Sequence, residues 1–399
     1  ALDSGKAGWA MGKRARRQRR EGGGHGPAAG IAGASALWNE PDFLAAIRRA
    51  LRQDHPWNLL SLVSVMLEIV DPRSISEALD EAPRTFAHRD ELVELLISSR
   101  RLESTAMLAA ISEVAGEPVA GRIHAELAAR DDELPGWLTA LGPLTIDGVF
   151  ETDYVLGDGN HVLIGAQTAA GHPFTCMVYI DHNFGTVVKD GGAIWAPIES
   201  VAAALRQEFN SESDCGMRPL DPATARVRIT QAIEAATRIV PPLHRPTWPA
   251  ARPVAEWVVR HLPDGGAAPV RTEWGRSSRE GLMNAFLSSS FGEAFEAEAR
   301  DALDQVLAFA CDFGAGDPLR WSPARIAVLL TRWLPMRLLP NGPSFRLLPD
   351  VLRAFVRYSH AEQGVRADLT ADTLAMVDEC EPDFRDAVIS GHARLEPVD

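Results

Sequence analysis

Hydrophobic residues recur at helical spacing over most of the chain, and one segment, residues 144–197, departs from that pattern. It divides into short runs rich in β-branched and aromatic residues, with Gly, Asp, Asn or Pro at each junction. The runs are VFETDYVL, HVLIGAQT, PFTCMVYI and TVVKD. This pattern predicts a four-strand antiparallel meander.

Helical periodicity dominates on both sides of the meander. Amphipathic runs begin near Asn39 and Trp57, and a longer run covers residues 90–116. In the last third of the chain, Ser322 and Thr370 each stand where an N-terminal helix cap is expected. The sequence therefore predicts an α+β protein, mostly α-helical with one embedded four-strand antiparallel β-meander.

Composition changes along the chain predict five regions. The first is a basic, Gly/Ala-rich tail with too few large apolar groups to fold by itself. A helical bundle, the meander with its following helices, a connection rich in Pro and Trp, and a C-terminal helical region follow. Their predicted limits are 1–38, 39–140, 141–240, 241–270 and 271–399.

Hydrophobic residues make up 46% and charged residues 24% of the chain, as in an ordinary globular protein. The four cysteines have no C-x-x-C spacing, so neither a zinc ribbon nor a disulfide framework is indicated. No apolar run reaches the roughly 18–20 residues that span a bilayer. We therefore expect a cytoplasmic protein with no membrane partner.

Charge is distributed unevenly. The formal net charge is -14, yet seven of the 40 basic residues and one of the 54 acidic residues lie in the first 20 positions, so the remainder carries -20. The segment KRARRQRR places six cations in eight residues, enough to neutralise several phosphates of RNA or DNA. The candidate nucleic-acid-binding residues are Lys13, Arg14, Arg16, Arg17, Arg19 and Arg20. Alternatively, the run only aids solubility or associates with the acidic remainder.

The meander suggests a second candidate site. Its first and third turns lie at the same end of the sheet, which should bring Asp158, His161, Asp181 and His182 together. Two histidines and two carboxylates could hold a divalent metal that activates water. The alternative is that these residues are turn formers, since Gly, Asp and Asn are what tight turns require.

Two other residues of the meander are expected to lie away from that site. Lys189 should sit about 10–13 Å down its strand from the turn, too far to join the cluster. His172, in the middle turn, should lie alone at the opposite end of the sheet.

Four stretches carry a resemblance to a known group: VYIDHNFGTVVKD, RWSPARIAVLLTRWLP, LPDVLRAFVRYSHAEQGV and TLAMVDECEPDF. With the basic MGKR tail, they resemble conserved hypothetical proteins of actinobacteria that have no assigned activity. The resemblance covers most of the chain from Met11. It implies bacterial origin and a cytosolic location, and it carries over no catalytic residue.

Three hypotheses about function follow from the sequence. The leading one is a binding or regulatory protein whose basic arm contacts nucleic acid while the helical body engages a protein partner. The alternative is a metal-dependent hydrolase with its site at the turn edge of the meander. In a third, the arm folds onto the acidic body as an intramolecular switch.

Overall fold

A computed structural model describes most of the chain from residue 38 onward. The described residues are 38–71, 73, 89–209, 214–239, 242–268, 270, 272–295, 299–313, 316–340 and 342–390. Apart from Trp38, the predicted basic tail lies outside them.

In the described residues, six helices precede the sheet. They are α1 (Pro41–Leu51), α2 (Trp57–Ile69), α3 (Arg89–Ser98), α4 (Leu102–Ala115), α5 (Val119–Leu127) and the one-turn α6 (Gly136–Thr139). In α1, Pro41 occupies the first turn, where its missing N–H costs nothing, and Phe43 and Ile47 are buried one turn apart. The predicted amphipathic helix is confirmed.

The run predicted as one helix over residues 90–116 is split into α3 and α4. Arg130 explains the break, because its guanidinium donates to the carbonyl oxygens of Ile97 at 3.0 Å and Ser99 at 3.3 Å. These carbonyls at the end of α3 have no partner within the helix. A buried arginine contributed by a later segment therefore ends α3, and the local pattern alone could not indicate it.

The predicted meander is confirmed as β1 (Thr145–Tyr154), β2 (Gly159–Gln167), β3 (Pro173–Asp181) and β4 (Val187–Ile194). A fifth strand, β5 (Cys215–Pro219), pairs antiparallel with β1 and gives the order β4-β3-β2-β1-β5. The sequence did not predict this strand, because β5 has no alternating apolar pattern and is held by its pairing with β1.

Three helices follow the meander: α7 (Ile198–Phe209), α8 (Pro222–Ala236) and α9 (Trp248–Arg260). The last of them occupies the predicted Pro/Trp-rich connection. Pro249 lies in the first turn, where proline is tolerated, and Trp248 and Trp257 are fully buried. The tryptophans therefore belong to a helix of the core.

The C-terminal helices are α10 (Arg276–Leu287), α11 (Ala299–Asp312), α12 (Pro323–Val328), a π-helical turn (Leu329–Trp333), α13 (Pro343–Gln363) and α14 (Ala367–Ser390). Ser322 caps α12 as predicted, with its hydroxyl accepting from the Arg325 N–H at 3.0 Å. Thr370 is no cap, because α14 begins at Ala367 and the Thr370 hydroxyl donates to the Arg366 carbonyl.

Two main hydrophobic cores organise the described residues. The first joins the N-terminal helices to one face of the sheet and to α8 and α9, while the second lies among the C-terminal helices. On the other face of the sheet, Leu163 packs against Ile198 and Val201 of α7. Among the described residues, no helix is both long and apolar enough to cross a membrane.

Candidate functional site

The first and third turns of the meander meet at one end of the sheet, as predicted. The His182 N–H donates to the Asp158 carbonyl oxygen at 2.8 Å and ties the two turns together. Gly157 (φ 68°) and Gly185 (φ 97°) take the left-handed conformation that glycine adopts without strain. Thr186 adopts it too, at φ 62°. We call this region the turn edge.

The two carboxylates of the turn edge share Asn183. The Asn183 N–H donates to Asp181 Oδ1 at 2.7 Å, and its side-chain Nδ2 donates to Asp158 Oδ1 at 3.0 Å. Asp181 and Asn183 are both buried. One asparagine therefore holds the carboxylates of both turns.

The turn edge also contacts the C-terminal helices. Asp158 Oδ1 accepts a short hydrogen bond from the hydroxyl of Ser322, the cap of α12. Beside it, the Arg320 side chain lies so close to Gly157 that a Cβ there would stand 2.2 Å from its Cδ. The turn edge is thus a joint between the sheet and the second core.

Lys189 joins this cluster, contrary to the prediction. Its Nζ lies 3.6 Å from Asp181 Oδ2. The register shifts between Tyr179 and Ile180, opposite Lys189, and the lysine side chain reaches back toward the turn. The prediction was wrong because it counted strand residues and neglected both the irregularity and the length of the side chain.

Each histidine of the turn edge already interacts with other residues of the protein. His182 Nε2 donates a short hydrogen bond to Asn160 Oδ1, and its Nδ1 accepts from the Thr186 hydroxyl at 3.2 Å. Asn160 is itself oriented, because its Nδ2 donates to the Thr152 carbonyl at 2.7 Å. The His161 ring instead lies against the ring of Tyr179, with centroids 4.8 Å apart.

Burial shifts the protonation of these groups. It lowers the pKa of His161 and of His182 to about 4, so both rings are neutral at pH 7. Burial raises the pKa of Asp181 to about 6, although nearby Lys189 opposes the shift. The pKa of Asp158 is also raised by burial, against the hydrogen bonds from Ser322 and Asn183.

The four residues proposed as metal ligands do not form a ligand set in this geometry. Asp158 and Asp181 come together, but both ring nitrogens of His182 have protein partners and the His161 ring packs against Tyr179. Within the described parts of the chain, no group of three or more His, Cys, Asp or Glu side chains could hold a metal ion. The arrangement fits a hydrogen-bonded joint better than a metal centre.

We expect protein incubated with zinc or manganese and then desalted to retain well below one ion per chain. The physical reason is that coordination through either ring nitrogen of His182 would displace the hydrogen bond that this nitrogen makes with Asn160 or Thr186. Elemental analysis of wild-type protein and the His182→Ala variant measures this. A stoichiometry near one that falls in the variant would restore the metal hypothesis.

His172, predicted to be alone, has a histidine neighbour. Its ring centroid lies 5.3 Å from that of His55, which also packs against Trp195 at 4.8 Å. Burial and then the charge of His172 lower the pKa of His55. The contact joins the start of α2 to the middle turn of the sheet, and sequence spacing could not predict it.

Sequence reasoning missed two residues that shape the turn edge. Ser322 was predicted as a helix cap but not as a partner of Asp158. Arg325, in the next turn, is 5% exposed and donates to the carbonyl of Ala310 at 2.9 Å. Burial lowers its pKa to about 10, while the Asp317 and Asp158 carboxylates act in the opposite direction. No local signal links these residues to the meander.

Comparison of the chain with protein-family models, curated proteins and solved structures found no match.

Proposed function

We propose that this chain is a cytoplasmic regulatory protein that holds RNA or DNA with its basic N-terminal arm and a protein partner with its helical body. The proposal rests on the uneven distribution of charge, since six cations lie within residues 13–20 while the chain after residue 20 has a formal net charge of -20. Phosphate neutralisation by such a cluster supplies sequence-independent affinity. An acidic body repels nucleic acid, which confines the contact to the arm.

The turn edge supports a binding protein over a hydrolase. The groups that could perform acid–base chemistry there are engaged with Asn183, Lys189, Asn160 and Ser322. Catalysis requires a group that can reach substrate and exchange a proton with it. A cluster closed by its own hydrogen bonds is suited to hold the sheet and the C-terminal helices in a fixed relation.

The arm is tested by replacing its six cations with glutamine in the full chain: Lys13, Arg14, Arg16, Arg17, Arg19 and Arg20. We expect wild-type protein to bind a short oligouridylate with a slope of log K against log salt of about -4 when all six contacts form. The variant should lose that binding. Fluorescence anisotropy over a salt series measures both quantities.

A variant that keeps the six cations but scrambles their order is the matched control, and it should bind like the wild type. Equal binding by wild type and the glutamine variant in low salt would contradict the proposal. If the isolated arm peptide binds far more tightly than the full chain, the arm is instead held by the acidic body.

A further inference from the structure

The segment after the π-helical turn exposes large apolar side chains. Met336 is 69% and Leu339 is 79% exposed, three positions apart. With Trp333 and Arg337 they form what we call the apolar–basic surface. Trp, Met and Arg are the residue types enriched at protein interfaces, and Trp and Arg dominate binding hot spots.

Between Asp317 and Asp350 the chain carries only positive charge. Residues 318–349 contain five arginines and no aspartate, glutamate or lysine. Of these, Arg320, Arg337 and Arg346 are exposed, and Arg320 lies 3.5 Å from the Asp317 carboxylate. Within the described part of the chain, Arg337 has no carboxylate partner, and its guanidinium lies 4.1 Å from the centroid of the Trp333 ring. The surface therefore offers uncompensated positive charge in an otherwise acidic protein.

A cavity of about 370 Å³ opens beside Trp333, between α11 and the π-helical turn. Its lining residues are Gln305, Ala308, Asp312, Phe313, Trp333 and Arg337. The single carboxylate in this lining is already paired, because Arg279 Nη1 donates to Asp312 Oδ2 at 2.9 Å. The cavity thus contains two aromatic rings and the guanidinium of Arg337, which has no carboxylate partner among the described residues. It suits a ligand that carries an apolar group next to a negatively charged one.

We propose that the apolar–basic surface docks a segment of a partner protein that carries one large apolar side chain flanked by carboxylates. The apolar side chain fills the cavity against Phe313 and Trp333. A carboxylate of the segment pairs with Arg337, and Met336 and Leu339 cover the neighbouring apolar atoms. This inference rests on the proposed function, of which it names the protein-binding surface and the chemistry of the partner.

Two features favour a protein segment over other anionic partners. A nucleic acid backbone would use the arginines but leave Met336 and Leu339 in water, and their exposure would have no role. A lipid surface would take up protruding apolar side chains but could not enter a concave cavity with an aromatic lining. A peptide with an apolar anchor uses both the cavity and the charge.

The test is selection of a phage-displayed library of short random peptides on the full chain, followed by affinity measurements with the enriched peptides. We expect enrichment of acidic peptides with one aromatic or large aliphatic residue. Leu339→Glu and Arg337→Glu should each weaken these peptides at least about tenfold. Val270→Glu, a matched control at a residue that is 95% exposed, should not.

The variant with a glutamine-substituted arm should bind the same peptides as the wild type, so failure of the arm and failure of this surface are distinguishable. The inference is overturned if no acidic peptide is enriched, or if Leu339→Glu binds the enriched peptides as tightly as wild type. It is also overturned if Leu339→Glu instead abolishes binding to phosphatidylserine vesicles, binding to oligouridylate or self-association of the chain.

Discussion

Replacement of Asp158 by alanine is expected to lower the free energy of unfolding by about 3 kcal/mol, measured by urea denaturation. The substitution removes the hydrogen-bond acceptor of the Ser322 hydroxyl and of the Asn183 amide. It also removes one of the two carboxylates near the buried guanidinium of Arg325. A buried charge or donor that is left without a partner costs more free energy than its hydrogen bond contributed to stability.

Two variants make this measurement specific. Asp158→Asn keeps an oxygen for the Ser322 hydroxyl but removes the negative charge, so its loss of stability should be smaller than that of alanine. Asp147→Ala, at an exposed carboxylate of β1, should change stability by no more than about 0.5 kcal/mol. A loss at Asp158 as small as that at Asp147 would refute the role of the turn edge as a joint.

Acidification from pH 7 to pH 4.5 is expected to lower the free energy of unfolding by about 3 kcal/mol through the turn edge. The folded-state pKa of His161 and His182 lies near 4, below the unfolded value of 6.5, so their contribution is lost as the pH falls from 6.5 toward 4. Asp181 and Asp158 act in the opposite direction, because burial raises the pKa of both carboxyl groups and their protonation on acidification therefore favours the folded state.

Two substitutions should change this pH dependence with opposite signs. His161→Phe keeps a ring beside Tyr179 and removes one titrating group, so the loss on acidification should shrink by about 2 kcal/mol. Asp181→Asn removes the opposing contribution, so the loss should grow by about the same amount. Urea denaturation at a series of pH values measures both, and parallel pH profiles for wild type and both variants would contradict the assignment.

The sequence predicted the meander and the shared edge of its first and third turns. Both follow from short-range patterns, namely alternating apolar residues and turn formers such as Gly157 and Gly185. The cap at Ser322 could also be predicted from neighbouring residues, because a serine before a proline at the start of an apolar run is a recognisable helix signal. Interactions within a few residues along the chain determine all of these features.

Other features depend on partners distant in sequence, and no pattern in one sequence identified them. The strand β5 needs β1 to pair with, and the end of α3 needs Arg130. The position of Lys189 depends on a register shift opposite it. His182 has Asn160 and Thr186 as hydrogen-bond partners on the two sides of its ring. The position of the candidate site was therefore predicted, whereas the partners of its side chains were not.

The contact between Asp158 and Ser322 spans 164 positions of the chain. On a ribosome that adds roughly 5–20 residues per second, Ser322 is made about 10–30 s after Asp158. By then the helices and strands of the first core, through α9, have been synthesised. During that interval the Asp158 carboxylate can form hydrogen bonds only with water and with residues that precede Ser322. The acidic turn edge therefore stays open until Ser322 has been made. Closure of that edge by Ser322 therefore requires that the chain has been synthesised at least to the start of α12.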